Sequence, residues 1–286
     1  MPSMPSSKCS KGLSDFLNFQ TAGIPLRAIH FTCFCNACCT FYRINDYLSQ
    51  VIRIRTKRFF YHFDLEKGSS KYKSIPKNWQ VYLLSDLVKT TNGYSYTSQE
   101  LGDNSSTALV TIKNFDRSGG FETEGYKPLI PEKGVKTGQY LDLFDLVVAH
   151  TDLTQAAEVI GNSELILSKG SFTDLIMSMD LVKVESVTDD VNVFILAALL
   201  SDARFKNHAL GYVNGTTVLH LSKKCIPNYR VTFPKDLSLL APIGEELRNY
   251  YDMISLNLRE NLELMELRDY LIPRMMSGKL NISNRN

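Results

Sequence analysis

The sequence predicts an α+β protein: a globular domain of short strands, followed by a long C-terminal helix with coiled-coil-like spacing. Three observations carry this. Between Ile75 and Pro234, short apolar and β-branched runs recur between Gly, Asn and Pro breaks. A compact apolar stretch, Val191 to Phe205, reads as a helix late in that region. Finally, Pro242 to Ile272 runs without an interior Pro, and its one Gly, Gly244, lies in the first turn. Three regions follow: an atypical extension over 1–70, a globular domain over 71–236 and the helical region over 237–286.

Residues 1–70 read unlike the rest. They hold nine Lys and Arg against four Asp and Glu, and five of the six cysteines: Cys9, Cys33, Cys35, Cys38 and Cys39. Structural zinc sites pair two ligand knuckles across a loop of about a dozen residues. Here four thiols crowd into seven positions with no second cluster, so no metal is expected. The basic run Arg53, Arg55, Lys57, Arg58 could touch phosphate, although a solvated face is the common explanation. The expectation is a poorly packed extension, or sequence that never belonged to the ancestral fold. Nothing reads as a signal peptide or a membrane span, so the protein is expected in the cytoplasm, with no membrane partner.

Residues 71–236 become regular. Ile75 to Trp79 is an extended entry holding the only Trp, and Gln80 to Val88 is a short apolar run. Thr90 to Tyr96 reads as a polar, aromatic loop around Asn92-Gly93. Ala108 to Ile112, Leu141 to Ala149, Leu165 to Leu167, Asp180 to Val187, Thr216 to Leu221 and Tyr229 to Phe233 read as strands. Strands with one clear helix make an α+β domain large enough for its own core.

In the last region, Pro242 suits the first helical turn, Glu245 and Glu246 complement the dipole there, and Pro273 is expected to end the run. The 31 residues from Pro242 to Ile272 make a rod of about 46 Å, far above the usual globular helix of about 10–14 residues. Leu240, Ile243, Leu247, Tyr251, Ile254 and Leu258 step by three or four, and the seam continues through Asn261, Met265, Arg268 and Ile272. Leu262, Leu264, Leu267 and Leu271 lie off that seam, so the second half needs cover on two sides.

Bond-making motifs are missing. No P-loop, G-x-G-x-x-G, H-E-x-x-H or G-x-S-x-G occurs, and no cofactor is implied. Asp142, Asp145, His150 and Asp152 form the densest acid–base cluster, for which capping and turn roles are the ordinary explanation. The expectation is a non-catalytic recognition module with an assembly arm.

Three stretches resemble a known family, the DNA-specificity subunit of type I restriction-modification systems. IPKNWQVYLLSDLVKTTNGYSY (75–96) resembles the entry of a target recognition domain. VNVFILAALLSDARFKNHALGYVNGTTVLHLSKKCIPNYRVTFP (191–234) resembles that domain's closing helix, Gly-Thr turn and final strand. LRENLELMELRDYLIPRMMSGKL (258–280) resembles the end of the family's helical region. Less specifically, LDLFDLVVAHTDL (141–153) matches the mid-domain strand. The resemblance covers roughly 72–280. It implies a target recognition domain that reads one half of a bipartite site on double-stranded DNA, and a conserved helix that sets spacing and docks methyltransferase (modification) subunits. Partner subunits would methylate adenine, and a restriction subunit (translocase and nuclease) would add ATP-dependent cleavage.

Two departures matter. Family members commonly carry two recognition domains and two helical regions, whereas one of each is read here, as in a half-length or truncated subunit. Residues 1–70 resemble no recognition domain, although KRFFYHFD (57–64) resembles the exit from a helical region. The seam through Leu247, Tyr251, Ile254 and Leu258 must then be filled by a second copy, another half-subunit or residues 1–70. Leu262, Leu264, Leu267 and Leu271 would meet the methyltransferase.

Reading bases needs donors and acceptors on loops or helix ends, with Arg and Lys suited to guanine, Asn and Gln to adenine. Three sets are candidates: Lys89, Thr91, Asn92, Tyr94 and Tyr96; Lys113, Asn114 and Arg117; and Arg204, Lys206 and Asn207. Residues 71–241 hold 17 basic against 19 acidic side chains, so most phosphate affinity is expected from the methyltransferase. The competing readings are a coiled-coil protein-interaction adaptor and a non-functional remnant of a disrupted subunit.

Overall fold

A computed structural model describes residues 25–60, 75–117 and 120–277, with the backbone alone for 25–37 and 276. A long helix α1 (Pro25–Phe60) comes first. The strands β1 (Trp79–Leu83), β2 (Val88–Asn92), β3 (Thr107–Val110), β4 (Lys127–Pro128), β5 (Tyr140–Leu141), β6 (Leu146–Ala149), β7 (Thr151–Asp152), β8 (Ser163–Leu165), β9 (Asp174–Met177) and β10 (Leu181–Ser186) follow. Helices α2 (Val193–Leu200) and α3 (Ala203–Leu210) precede β11 (Val213–Asn214), β12 (Leu219–Leu221), the short α4 (Cys225–Asn228) and β13 (Arg230–Pro234). The chain then enters α5 (Ala241–Met276). The fold is α+β with a long C-terminal helix, as expected. It divides into one compact unit of residues 49–252 and another of 1–48 with 253–286.

Among the described residues, the larger unit holds all the strands. β2-β10-β6-β8 form an antiparallel sheet, and β4-β3-β9-β5 form a second in which β3 and β9 are parallel. Alternation sets the core. Ala108 and Val110 of β3, with Leu175 and Met177 of β9, join Leu141, Val147, Ala149 and Leu181 in one buried cluster. Leu109 and Ile176, pointing the other way, pack with Tyr94 and Leu129. Both faces of the β3–β9 pair are therefore covered, which is why those strands are continuous apolar runs. Two further small sheets, β11-β12-β7 and β1-β13, complete the unit.

Several expected elements are cut shorter by local polar groups. The single helix expected over 191–205 is two helices. Asn192 caps α2 by accepting from the Ile195 N–H, and Asp202 caps α3 by accepting from the Arg204 N–H at 3.0 Å, so the ladder restarts there. The expected strand 141–149 is interrupted because the Asp145 carboxylate accepts from the Asp142 N–H at 2.8 Å and Phe144 takes φ 69°. Thr90 to Asn92 lie in β2, not in a loop. Pro273 lies inside α5, which runs on to Met276: its missing N–H removes one hydrogen bond, yet the Ser277 N–H still reaches the Pro273 carbonyl at 3.0 Å.

A second long helix is present, against the expectation of a poorly packed N-terminal extension. In the larger unit, Ile52, Thr56 and Phe60 of α1 are buried, and Phe60 packs on Phe233 at 5.5 Å. There the Arg55 guanidinium donates twice to the Glu246 carboxylate of α5, at 2.6 and 2.5 Å, and holds its pKa down. In the smaller unit, Asn45 and Leu48 of α1 are buried, and Asn257 of α5 donates to the Asn45 amide oxygen at 2.7 Å. Along α5, the seam residues Leu240, Ile243, Leu247, Ile254 and Asn261 are buried, while Tyr251 and Leu258 are half-buried. The off-seam Leu262, Leu264 and Leu271 are half-buried and Leu267 is exposed. The seam residue Tyr251 stacks on Phe194 of α2 at 5.8 Å, while α1 meets α5 at the off-seam Glu246 and Asn257. Cys9, Cys33 and Cys35 lie outside the residues whose side chains are described, as does 61–64 of the KRFFYHFD stretch.

Candidate nucleic-acid interface

The expected base-reading residues separate into two groups and a set of internal struts. The first group gathers where β2, β9 and β10 meet. Asn92 pairs with Val182 of β10, Gly93 follows, and Tyr94 bridges to Ser178 just after β9. A Cβ on Gly93 would lie 2.6 Å from the Met177 carbonyl oxygen and closer still to the Ser178 carbonyl, so only Gly lets the two backbones approach. This contact throws Met179 and Asp180 outward; Met179 is 56% exposed. Asn92 is exposed, Tyr96 is half-buried beside this turn, and Lys113 is exposed in the 3-10 turn after β3. Lys89 and Thr91 lie further down β2: Lys89 pairs with Glu185 across the strands at 3.5 Å, and Thr91 is half-buried beside Gly138.

The second group surrounds the 157–162 loop. Arg117 reaches Glu158 at 3.4 Å, and Arg204 and Asn207 are exposed on α3. Lys206, on the same helix, turns inward. Its ammonium lies 2.9, 2.9 and 2.6 Å from the carbonyl oxygens of Ala157, Glu158 and Ile160, and 2.8 Å from Oδ1 of Asn162. Asp152 holds the same loop from the other side, accepting from the N–H groups of Thr154, Val159 and Ile160.

Tyr94, Asn114 and Lys206 are therefore internal supports, in contrast to the outward roles expected of them. Tyr94 is buried, and its hydroxyl donates to Glu100, whose carboxylate also accepts from the N–H groups of Thr97 at 2.6 Å and Glu132 at 3.0 Å. Those donors, Tyr94 first, hold the Glu100 carboxyl down at about 2, while burial pushes the Tyr94 hydroxyl up. Asn114 is fully buried. Its Oδ1 accepts from the Thr111 N–H at 2.9 Å and its Nδ2 donates to the Glu122 carbonyl at 2.7 Å. The acid–base cluster is also structural: Asp142 pairs with Lys169 and Asp145 with Lys183, each at 2.7 Å.

Neighbours that the sequence reading missed complete the first group. Leu109 of β3 pairs with Lys127 of β4, and burial followed by the field of Lys113 lowers the Lys127 ammonium pKa, while Asp180 raises it. His150 donates its N–H to the Asp180 carbonyl at 2.7 Å, and its carbonyl accepts from the Leu221 N–H of β12. Burial, then His220 and Lys223, lower the His150 pKa, and Asp180 again opposes them. Tyr96 feels the same Asp180 carboxylate after burial, both raising its pKa. The Ser178 N–H also reaches the Val110 carbonyl at 2.9 Å, so the segments that carry Lys113, Lys127, His150, His220 and Lys223 run beside one turn, although they are spread over more than 100 positions of chain. Their only signal in the sequence was residue type. Among the described residues, no group of His, Cys, Asp and Glu could hold a metal ion, and no helix is long and apolar enough to cross a membrane.

No protein-family model matches the chain. Over 236 residues, 80% of its length, it is 23% identical to the type I restriction enzyme MjaIX specificity subunit of Methanocaldococcus jannaschii. The match spans 49% of that protein, so the chain spans about half the length of the curated relative. Among solved structures, the HsdS subunit from Thermoanaerobacter tengcongensis aligns with 97% of this chain and 60% of its own, at 11% identity and a TM-score of 0.43. The S subunit of a type I restriction-modification system from M. genitalium aligns with 84% of this chain and 59% of its own, at 13% identity and a TM-score of 0.45. The chain thus resembles a type I specificity subunit over four fifths of its own length and about half of that relative's.

Proposed function

We propose that this chain, similar in sequence to a type I restriction enzyme specificity subunit, recognises DNA sequence without making or breaking bonds, and directs adenine methylation and ATP-dependent restriction by partner subunits. The observation that carries the reading is the 236-residue alignment to a specificity subunit, longer than the 71–236 domain alone and so reaching beyond it. The strand-rich unit of 49–252 fits the reader of one half of a bipartite site, with Asn92, Tyr96, Lys113, Arg117, Arg204 and Asn207 as its outward polar groups. The helices α1 and α5 fit an assembly arm, on which Leu262, Leu264, Leu267 and Leu271 face a methyltransferase subunit.

Co-expression with a type I adenine methyltransferase subunit, followed by co-purification and methylome sequencing, tests the proposal. The expected result is a stable complex and a new bipartite adenine-methylated motif; a palindromic motif indicates two copies of this chain. A complex that never forms, or a methylome unchanged by the chain, refutes it.

A further inference from the structure

The domain of 71–241 is slightly acidic overall, 17 basic against 19 acidic side chains, which leaves open where it meets the phosphate backbone. Much of its positive charge is already neutralised. Lys89, Arg117, Lys169 and Lys183 each pair with a carboxylate, and Lys206 is enclosed by carbonyl oxygens. Lys113, Lys127 and Lys223 have no carboxylate partner within 4.0 Å among the described residues. Backbone hydrogen bonds bring their segments to the Met179–Asp180 turn: the Ser178 N–H reaches the Val110 carbonyl at 2.9 Å, three residues before Lys113, Lys127 pairs with Leu109 on the same strand, and the Leu221 N–H, two residues before Lys223, reaches the carbonyl of His150, whose own N–H meets the Asp180 carbonyl. Unpaired like charges held together by a fold cost free energy in the free protein, and an arriving anion relieves that cost. The same place presents the half-buried Tyr96 and the exposed Met179, apolar surface that suits the sugar edge of a nucleic-acid backbone better than bulk water.

We infer that Lys113, Lys127 and Lys223, arranged around the Met179–Asp180 turn, form the point at which this domain grips the phosphates of duplex DNA. The inference rests on the DNA-recognition reading and sharpens it: contact begins where β9 passes into β10. There the outward side chains of Asn92 and Tyr96 lie beside the grip, so phosphate positioning and base reading share one edge. Asp180 keeps the site from being uniformly cationic. Its carboxylate accepts from the Thr151 hydroxyl at 3.0 Å and opposes the repulsion at both Lys127 and His150.

Phosphate contacts do not depend on sequence, so a 40-base-pair duplex of arbitrary sequence reads them. Equilibrium binding of the full chain to that duplex is measured from 50 to 200 mM salt. Each of Lys113→Gln, Lys127→Gln and Lys223→Gln is expected to lower the slope of log affinity against log salt by about 0.9, which shrinks the loss of affinity over that range by about 3.5-fold per lysine. The triple variant should shrink it by about forty-fold. Lys127→Arg should keep the parent slope, and Lys235→Gln, an exposed lysine next to β13, should leave it unchanged. If the parent chain binds with a salt-dependent affinity and the three glutamine variants keep its slope, the grip is elsewhere and DNA recognition stands. If the parent shows no salt-dependent binding at all, the domain has no phosphate grip of its own and this inference is overturned, while the recognition reading is decided separately by the methylome of the complex. Equal loss on a single-stranded RNA of the same length, with none on the duplex, also overturns the inference.

Discussion

Gly93→Ala isolates the contact that builds the candidate interface. Gly93 carries no positive-φ requirement, so the methyl acts through space alone. An ordinary carbon contact is about 3.5–4.0 Å, and the new Cβ would lie 2.6 Å from the Met177 carbonyl oxygen, so β2 and β9 must part by about 1 Å or more. That movement lengthens two backbone hydrogen bonds, from the Tyr94 N–H to the Met177 carbonyl and from the Met179 N–H to the Tyr94 carbonyl. Overpacking costs about 1–3 kcal/mol and each lost bond about 1 kcal/mol, so a total of roughly 3–5 kcal/mol is expected. For a unit of this size that lowers the melting temperature by roughly 6–20 °C. Thermal denaturation followed by circular dichroism measures it. Gly134→Ala, with nothing within 4 Å of its new methyl, is the matched control and should melt with the parent. A Gly93→Ala protein that also melts within 2 °C of the parent refutes the close-approach argument.

Three further outcomes follow from other sites. Lys206→Met should cost roughly 2–3 kcal/mol, because its ammonium serves four oxygens in a half-buried setting, yet leave DNA affinity unchanged where both proteins are folded; weaker binding at equal stability would restore it as a contact residue. Burial raises the Glu164 carboxyl from 4.5 to about 7, so the folded state holds its proton more tightly and stability falls as pH rises from 4.5 through 7. Glu164→Gln should flatten the melting temperature across that window, and a curve parallel to the parent's counts against it. Asn261 is buried in the seam of α5, with both amide atoms unpaired among the described residues, so Asn261→Leu should stabilise by about 1–2 kcal/mol in chemical denaturation; a loss would mean that the amide has a partner.

Patterns of short range were legible in the sequence. The α+β class, the seam of α5 and the strand-rich stretch before it follow from periods of 3.6 and 2, which each residue shares with near neighbours. Leu247, Ile254 and Asn261 are buried as their spacing required. The resemblance to a specificity subunit was also carried by local motifs. Element ends were less legible, since Asp202 and Asp145 stop elements through side-chain hydrogen bonds that compete with the ladder. The first long helix was hidden by its composition: Cys-rich and basic, it shows no clean apolar face, and its buried side is set by distant residues such as Phe233, which Phe60 meets, and Glu246, which Arg55 meets.

The candidate interface was decided by tertiary structure. Residue type made Tyr94, Asn114 and Lys206 look like outward hydrogen-bonding groups, while their partners, Lys133, Glu122 and Ala157, hold them inward. Conversely, Lys127, His150, His220 and Lys223 are unremarkable one at a time and become neighbours when β4, β7 and β12 are brought to the turn after β9. A sequence encodes side-chain chemistry and local period. Which charges remain unpaired is a property of the spaces between elements, and only the folded chain sets those.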